Sequence, residues 1–239
     1  MLYVAKLMMG GASGGGGGSE TLELPYLIFN TVGQRSRSRY FNTGVVPGAN
    51  TRVELLMGRN PSPALNIGWQ TGCRTGWVSN AIMYNHGSSD NISWIIYNNG
   101  TYGLRCQPVD PAFGALLVSM GADGTMSTGD QVLASGQALS LANNAFYIGD
   151  VNENGRPKGS SDSQGSAKMY WCKMYEGSTL VKHYVPAQQN GEAVLHELVS
   201  DSYLSSTGST SSFAASTIAY GTETVTVVNG GRIEMTVLS

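Results

Sequence analysis

Short runs of β-branched and aromatic residues, each closed by turn residues, limit the fold class of this chain most strongly. From Leu22 onward these runs are separated by glycine, asparagine, aspartate and proline, which favour turns. The clearest runs are residues 77–84, 92–97, 115–120, 145–150, 168–175 and 180–185. No long window repeats apolar residues with the 3.6-residue period of an amphipathic helix. The pattern predicts an all-β protein of two antiparallel sheets in face-to-face contact, a β-sandwich.

The composition narrows the class of protein further. A chain of 239 residues with 32 glycines and only 13% charged residues fits a turn-rich β domain that folds as one main unit. The formal net charge of −2 gives no electrostatic reason to bind nucleic acid. No apolar stretch reaches the roughly 18 residues of a membrane-spanning helix, so membrane insertion is not expected.

The two ends of the chain differ from its middle. Residues 1–9 form a short β-prone segment, and GGASGGGGGS at 10–19 is a flexible linker. Near the other end, Asn229-Gly230 lies between two β-prone runs and favours a type I′ hairpin turn. The predicted units are an anchor strand and linker at 1–19, a sandwich at 20–221 and a hairpin at 222–239. The hairpin either completes the sandwich or serves assembly, and the small anchor is expected to need a partner.

One segment carries a recognisable order of residues: aromatic-x-Cys-Lys-apolar-Tyr, a glycine turn, Leu-Val-basic-x-apolar-Val-Pro, and Gly-Glu followed by apolar positions and an aromatic residue. These positions are Tyr170, Cys172, Lys173, Met174, Tyr175, Gly177, Leu180, Val181, Lys182, Tyr184, Val185, Pro186, Gly191, Glu192, Ala193, Leu195, Leu198, Val199 and Tyr203. The order resembles the laminin-G-like, concanavalin A-like modules of surface and phage proteins of gut bacteria. Weaker matches at 40–44 and 51–55 extend the resemblance over about residues 24–220.

The resemblance implies a concanavalin A-like jelly roll with a binding or structural role rather than an activity. The chain departs from the family pattern at two places. His196 and Glu197 stand where the family usually has Tyr and Asp, and its Asn-Gly turn is replaced by the run Ser200, Asp201 and Ser202.

Alternation along 168–175 predicts which side chains share a face. Tyr170, Cys172 and Met174 are expected on one face. The opposite face is expected to hold Trp171, Lys173 and Tyr175.

Cysteine and histidine spacing indicates no metal site. Cys73, Cys106 and Cys172 are too few and too scattered for a disulfide framework, so they are interpreted as small buried hydrophobic residues. His86 and His183 have no acidic or cysteine neighbour at ligand spacing, and both are expected on the surface.

The sequence lacks the carboxylate pattern of glycosidases built on concanavalin A-like folds, Glu-x-Asp-x(-x)-Glu. The nearest acid pairs are Asp150 with Glu153 and Glu192 with Glu197. His196-Glu197 begins like a zinc-protease motif, but Ser200 occupies the position of the second histidine. The chain is therefore predicted not to be an enzyme.

One loop matches the first half of a calcium-binding loop, D-x-N-x-N-G. Asp150, Asn152 and Asn154 supply alternate oxygen side chains before Gly155, which makes calcium a candidate ligand. The twelfth position is Ser161 instead of the usual bidentate glutamate. The favoured interpretation is an Asn-rich turn between strands, since Asn and Asp adopt left-handed conformations readily, and calcium binding is the alternative.

Aromatic and amide residues are mixed in the middle of the chain, as a sugar-binding surface requires. The candidates for carbohydrate binding are Trp69, Trp77, Tyr84, Trp94, Tyr97, Asn98 and Asn99. Strand alternation is expected to turn about half of these rings into the core.

The resulting expectation is a non-catalytic virion protein of a phage, in a tail, fibre or capsid decoration, that displays a lectin-like module to bacterial-surface or mucus glycans. The N-terminus is a poor signal peptide, which favours a virion over a secreted protein. The expected partners are other virion proteins or further copies of the chain. The alternative is a carbohydrate-binding lectin of the bacterial cell surface, and a glycoside hydrolase is a third, less favoured reading.

Overall fold

In the computed structural model, every regular element among the described residues is a β-strand, which confirms the predicted all-β class. The described residues are 21–24, 26–31, 39–59, 69–75, 78–86, 92–98, 101–109, 116–121, 125–128, 131–134, 141–158, 165–208, 217–220, 224–228 and 232–236. The predicted anchor and linker at 1–19 lie outside them. Within these ranges, no helix is long and apolar enough to cross a membrane.

The larger sheet contains β1 (Thr21–Glu23), β2 (Leu27–Thr31), β4 (Thr51–Arg59), β9 (Leu116–Gly121), β10 (Met126–Thr128), β11 (Gln131–Ala134), β15 (Gly165–Glu176), β16 (Thr179–Gln189), β17 (Glu192–Glu197), β18 (Ser202–Ser205) and β20 (Thr217–Tyr220). Its strand order is β11-β10-β9-β4-β15-β16-β17-β18. Outside this path, β1 pairs with β16, and β2 pairs with β15 and β20. The pairing is antiparallel throughout, and the long strand β15 lies between β4 and β16.

The smaller sheet contains β3 (Arg39–Asn42), β5 (Trp69–Thr75), β6 (Val78–His86), β7 (Ile92–Asn98), β8 (Thr101–Val109), β12 (Tyr147–Ile148), β13 (Val151–Glu153), β14 (Arg156–Pro157) and β19 (Thr207–Gly208). Its strand order is β19-β3-β12-β5-β6-β7-β8. One pair departs from the predicted antiparallel arrangement, because β13 runs parallel to β5.

Both sheets contribute to one apolar core. Phe29 and Leu55 of the larger sheet and Phe41 and Ile148 of the smaller sheet are almost fully buried. The rings of Phe29 and Phe41 meet edge to face, with centroids 6.0 Å apart, a favourable arrangement for aromatic pairs. Burial of each such side chain contributes roughly 1.5–3 kcal/mol. The two sheets therefore form the layers of a sandwich-like fold.

Gly149 allows the backbone after β12 to approach this core. Its φ of +96° lies in the region that favours glycine, and a Cβ at this position would lie 2.5 Å from the Phe29 ring. Both the conformation and the close contact therefore require glycine.

A β-bulge in β15 changes which side chains share a face. Met169 pairs with Met57, whereas Trp171 pairs with Leu56, so β15 advances two residues where β4 advances one. As a result, Met169 joins the main core, and Tyr170 lies with Leu56 in a second cluster on the other face of the sheet.

The prediction that Tyr170 shares a face with Cys172 and Met174 is therefore wrong. Cys172 and Met174 do lie in the main core, as predicted. Tyr170 instead contacts Tyr26 edge to face, with ring centroids 5.7 Å apart. The extra residue of the bulge breaks the two-residue period on which the prediction depended.

Cys73 and Cys172 are buried and form no disulfide, as predicted. Cys73 of the smaller sheet and Cys172 of the larger sheet both lie in the main core. Burial raises the pKa of the Cys73 thiol to about 12 and raises the pKa of Cys172 as well. Both residues therefore behave as small apolar side chains.

The predicted C-terminal hairpin is present as β21 (Thr224–Val228) and β22 (Arg232–Thr236). These strands form a two-stranded sheet of their own, separate from both main sheets. Val225 pairs with Met235 and Val227 pairs with Ile233, so these four apolar positions share one face of the hairpin.

The chain passes from one main sheet to the other through a single residue. β18 pairs with β17 in the larger sheet, and β19 pairs with β3 in the smaller sheet. Ser206 connects them, and its hydroxyl accepts a hydrogen bond of 2.8 Å from Nε of Arg39. The turn between β17 and β18 lies at the opposite end of β18 from this connection.

Candidate functional site

The strand register brings three of the predicted carbohydrate-binding residues into one row across the smaller sheet. Trp69 on β5 pairs with Tyr84 on β6, and Tyr84 pairs with Trp94 on β7. Paired positions of neighbouring antiparallel strands lie on the same face of a sheet. Two other candidates, Trp77 and Asn99, lie outside the described residues.

The face on which this row lies follows from two buried residues of β5. Thr71 and Cys73 are fully buried, and Cys73 belongs to the main core. Position 69 is two residues from position 71, so strand alternation assigns it to the same, core-directed face. The row formed by positions 69, 84 and 94 therefore shares the core face of the sheet.

Tyr97 lies at a different position in the sheet from that row. Position 97 is three residues from position 94 on β7, so alternation assigns it to the opposite face. Tyr97 pairs with Tyr102 on β8, and Asn98 pairs with Thr101 at the end of the same hairpin. β8 is the last strand in the order of the smaller sheet. Alternation thus separates position 97 from positions 69, 84 and 94, whereas position 98, four residues from position 94, falls on the same face as that row.

The candidate calcium loop is the hairpin between β13 and β14. Asn154 and Gly155 have φ values of +54° and +81°, the conformation of a type I′ turn. Both polar atoms of the Asn152 side-chain amide form hydrogen bonds within the protein. Its Nδ2 donates to the backbone oxygen of Ala145 (2.8 Å), and its Oδ1 accepts from the backbone N–H of Gly155 (2.8 Å).

Asp150, the first residue of the candidate calcium loop, is also engaged with the backbone. Its Oδ1 accepts a hydrogen bond of 2.6 Å from the N–H of Val151, and its side chain is buried. The described residues contain no group of three or more His, Cys, Asp or Glu side chains that could hold a metal ion. These hydrogen bonds are those of an Asn-rich turn, the favoured interpretation, and calcium binding at this loop stays a prediction.

The prediction that His183 lies on the surface is wrong. Its side chain is buried on β16, where Lys173 is its cross-strand partner and the ring of Trp171 contacts it edge to face at 6.4 Å. Burial and the positive charge of Lys173 lower the pKa of His183 to about 4. The imidazole is therefore neutral at pH 7.

Glu197 organises the turn between β17 and β18. Only 2% of this residue is exposed, and its carboxylate accepts hydrogen bonds from the backbone N–H groups of Val199 (2.9 Å) and Ser200 (3.0 Å) and from the Ser200 hydroxyl. Nζ of Lys182 adds a charged contact of 3.1 Å. Burial raises the pKa of Glu197, but the hydrogen bonds outweigh burial and lower the pKa to about 2.

Three side chains meet on the outer side of this turn. His196 and Tyr203 are cross-strand partners whose rings stack with centroids 4.5 Å apart and planes 17° apart. Nε2 of His196 lies 2.8 Å from Oδ1 of Asp201. Tyr203 is 38% exposed and the side chain of Asp201 is 89% exposed. We refer to His196, Asp201 and Tyr203 as the turn platform.

The turn platform carries no motif of a known site in the sequence, although one sequence signal pointed to it. His196 and Asp201 both belong to the places where the chain departs from the family pattern. The structure shows that these two departures contact each other, and that Glu197 and Ser200, which also depart from the pattern, are joined by a hydrogen bond. The departures are thus coupled in pairs around a single turn.

Comparison with known proteins gives no match for this chain, either among protein-family models or among curated protein sequences.

Proposed function

We propose that this protein is a non-catalytic structural or adhesion protein of a phage particle, and that its concanavalin A-like jelly roll binds glycans of bacterial surfaces or mucus. The sandwich-like fold of the described residues supports this proposal, because such folds present loops and outer sheet faces on a rigid core. In a particle, the β-sandwich is the displayed unit. The anchor at 1–19 and the hairpin at 222–239 contact neighbouring copies or other virion proteins.

The observation that carries the glycan-binding part is the position of Tyr97. It pairs with Tyr102 near the end of the β7–β8 hairpin, and strand alternation assigns position 97 to the face of the smaller sheet opposite to positions 69, 84 and 94. Sugar sites combine an aromatic surface with a few hydrogen-bonding groups; the paired tyrosine positions supply the aromatic surface, and Asn98 and Thr101 pair at the end of the same hairpin. The core-directed positions 69, 84 and 94 then serve the stability of the sheet.

A glycan array tests the binding function. The full-length protein is expected to bind a subset of bacterial-surface or mucin oligosaccharides, and Tyr97→Ala combined with Asn98→Ala is expected to weaken that binding. Val46→Ala is the matched control, since Val46 is an exposed apolar residue far along the chain from β7. An array with no bound glycan contradicts the proposal.

The virion part has a separate test. Mass spectrometry of phage particles purified from a producing culture is expected to detect this chain. Deletion of residues 1–18 is expected to leave a folded sandwich that no longer joins the particle. Detection of the chain on washed cells but not on particles would instead favour a bacterial surface lectin.

A further inference from the structure

The exposed ring of Tyr203 is backed on one side by another ring. His196 stacks against one face of Tyr203, and 38% of Tyr203 remains exposed. A tyrosine fixed in this way offers its remaining apolar surface at a small cost in side-chain entropy, since its rotamer is already set by the stacking contact. The C–H face of a sugar ring is a ligand of matching size and polarity.

A hydrogen-bonding group lies beside that ring. Asp201 is held by His196 through Oδ1, and a carboxylate has about four lone-pair positions, so Asp201 can accept further hydrogen bonds. Adjacent hydroxyl groups of a sugar are donors of the right kind. The hydroxyls of Ser200 and Ser202, which lie 2.8 Å apart, add further polar groups to the same turn.

Hydrogen bonds within the protein fix the conformation of the turn in the absence of a ligand. The carboxylate of Glu197 accepts hydrogen bonds from the backbone N–H groups of Val199 and Ser200. Asp201 has a φ of +49°, a left-handed conformation that aspartate adopts more readily than most residues. Because the loop is already ordered, binding does not have to order it.

We propose that the turn platform is a binding site for uncharged sugar rings, in which Tyr203 stacks against the ring and Asp201 accepts its adjacent hydroxyls. The exposed carboxylate decides the ligand class, since it repels sugars that carry carboxylate or sulfate groups. Neutral hexoses and their N-acetylated forms fit the site. This inference rests on the proposed glycan-binding function and assigns it a second contact surface, on the larger sheet.

Binding of neutral and sialylated versions of the same oligosaccharides to the full-length protein tests the site. Tyr203→Ala is expected to weaken binding of the neutral sugars at least about tenfold, as for an aromatic anchor, whereas Tyr203→Phe keeps the ring and most of the affinity. Asparagine tolerates the same backbone conformation as Asp201. Asp201→Asn is expected to weaken the binding of neutral sugars and to reduce the discrimination against sialylated sugars. Val46→Ala is the control, and melting temperatures confirm that each variant is folded.

The outcomes separate this site from the proposed function. If the wild-type protein binds glycans and Tyr203→Ala binds them equally well, the turn platform is not the site and the glycan-binding function stands. Preference of the wild-type protein for the sialylated sugars overturns the proposed ligand class. If the wild-type protein binds no sugar of either kind, both the site and the binding function are wrong.

Discussion

The carboxylate of Glu197 accepts a hydrogen bond of 3.0 Å from the backbone N–H of His183, so a buried charge joins β16 to the turn that follows β17. The same carboxylate binds the amides of that turn. Glu197 therefore connects the interior of the larger sheet with the turn platform.

Replacement of this carboxylate should destabilise the protein. Glu197→Gln removes the charge that several donors share, and we expect the free energy of unfolding to fall by about 2 kcal/mol, within the range for lost hydrogen bonds to a charged group. Urea denaturation at pH 7 measures the change. Glu192→Gln is the control, because its side chain is 74% exposed and its substitution should have little effect. Equal stability of the two variants would contradict the structural role of Glu197.

The contribution of Glu197 should depend on acid pH. In the unfolded chain this carboxyl takes up a proton near its ordinary pKa of 4.5, whereas in the folded protein the pKa is about 2. Stability from this group is therefore complete above pH 4.5 and is lost as the pH falls toward 2. The difference in unfolding free energy between the wild-type protein and Glu197→Gln should narrow across that interval, and a constant difference would argue against it.

His183 should produce a second pH dependence at higher pH. The unfolded imidazole becomes protonated near pH 6.5, but the folded protein resists protonation until about pH 4 because the ring is buried near Lys173. Stability should therefore fall as the pH is lowered from 6.5 to 4. His183→Gln keeps the backbone N–H that donates a hydrogen bond to Glu197. It should flatten the dependence of stability on pH in this range. An unchanged profile in the variant would show that other groups cause the dependence.

Two glycine substitutions separate backbone strain from steric conflict. In Gly149→Ala, the new Cβ clashes with the Phe29 ring and the backbone φ is unfavourable for alanine. In Gly155→Ala, the backbone φ is similar, but the new Cβ has open space around it. We expect a loss of about 1–2 kcal/mol for Gly155→Ala, from backbone strain alone, and a clearly larger loss for Gly149→Ala. Thermal denaturation of both variants checks this. Equal losses would mean that the Phe29 ring moves aside without cost.

The geometry of the β13–β14 hairpin predicts no response to calcium. A ligand that binds only the folded protein raises its melting temperature by mass action. Because Asn152 and Asp150 are already bonded to the backbone, millimolar calcium should leave the melting temperature unchanged. A rise that Asp150→Ala abolishes would restore the calcium hypothesis.

The β class and the strongest strands were accessible from the sequence because they depend on local patterns. The run at 168–175 and the Asn-Gly hairpin near 230 illustrate this, since β-prone residues and turn residues act over a few positions. The placement of Tyr170 was not accessible, because a bulge depends on how β15 meets β4 and leaves no local mark. The burial of His183 likewise depends on Lys173 and Trp171, which lie on a neighbouring strand.

The candidate site was likewise predictable from the sequence only in part. The sequence placed aromatic and amide residues in the middle of the chain, but only the register separated positions 69, 84 and 94 from position 97. The turn platform required a contact between His196 and Asp201 that no periodicity predicts. The motif resemblance identified both residues as departures without indicating that they are partners.

The single-residue connection at Ser206 has a mechanical consequence for a protein that holds a ligand at the turn between β17 and β18, at the other end of β18. A pull on that turn acts along β18 and reaches β19 through Ser206, so the load on β18 is shared by both sheets instead of falling on one edge strand alone. The hydrogen bonds of β18 to β17 and of β19 to β3 therefore both carry this load. An attachment surface placed here resists shear better than one at the tip of an isolated hairpin.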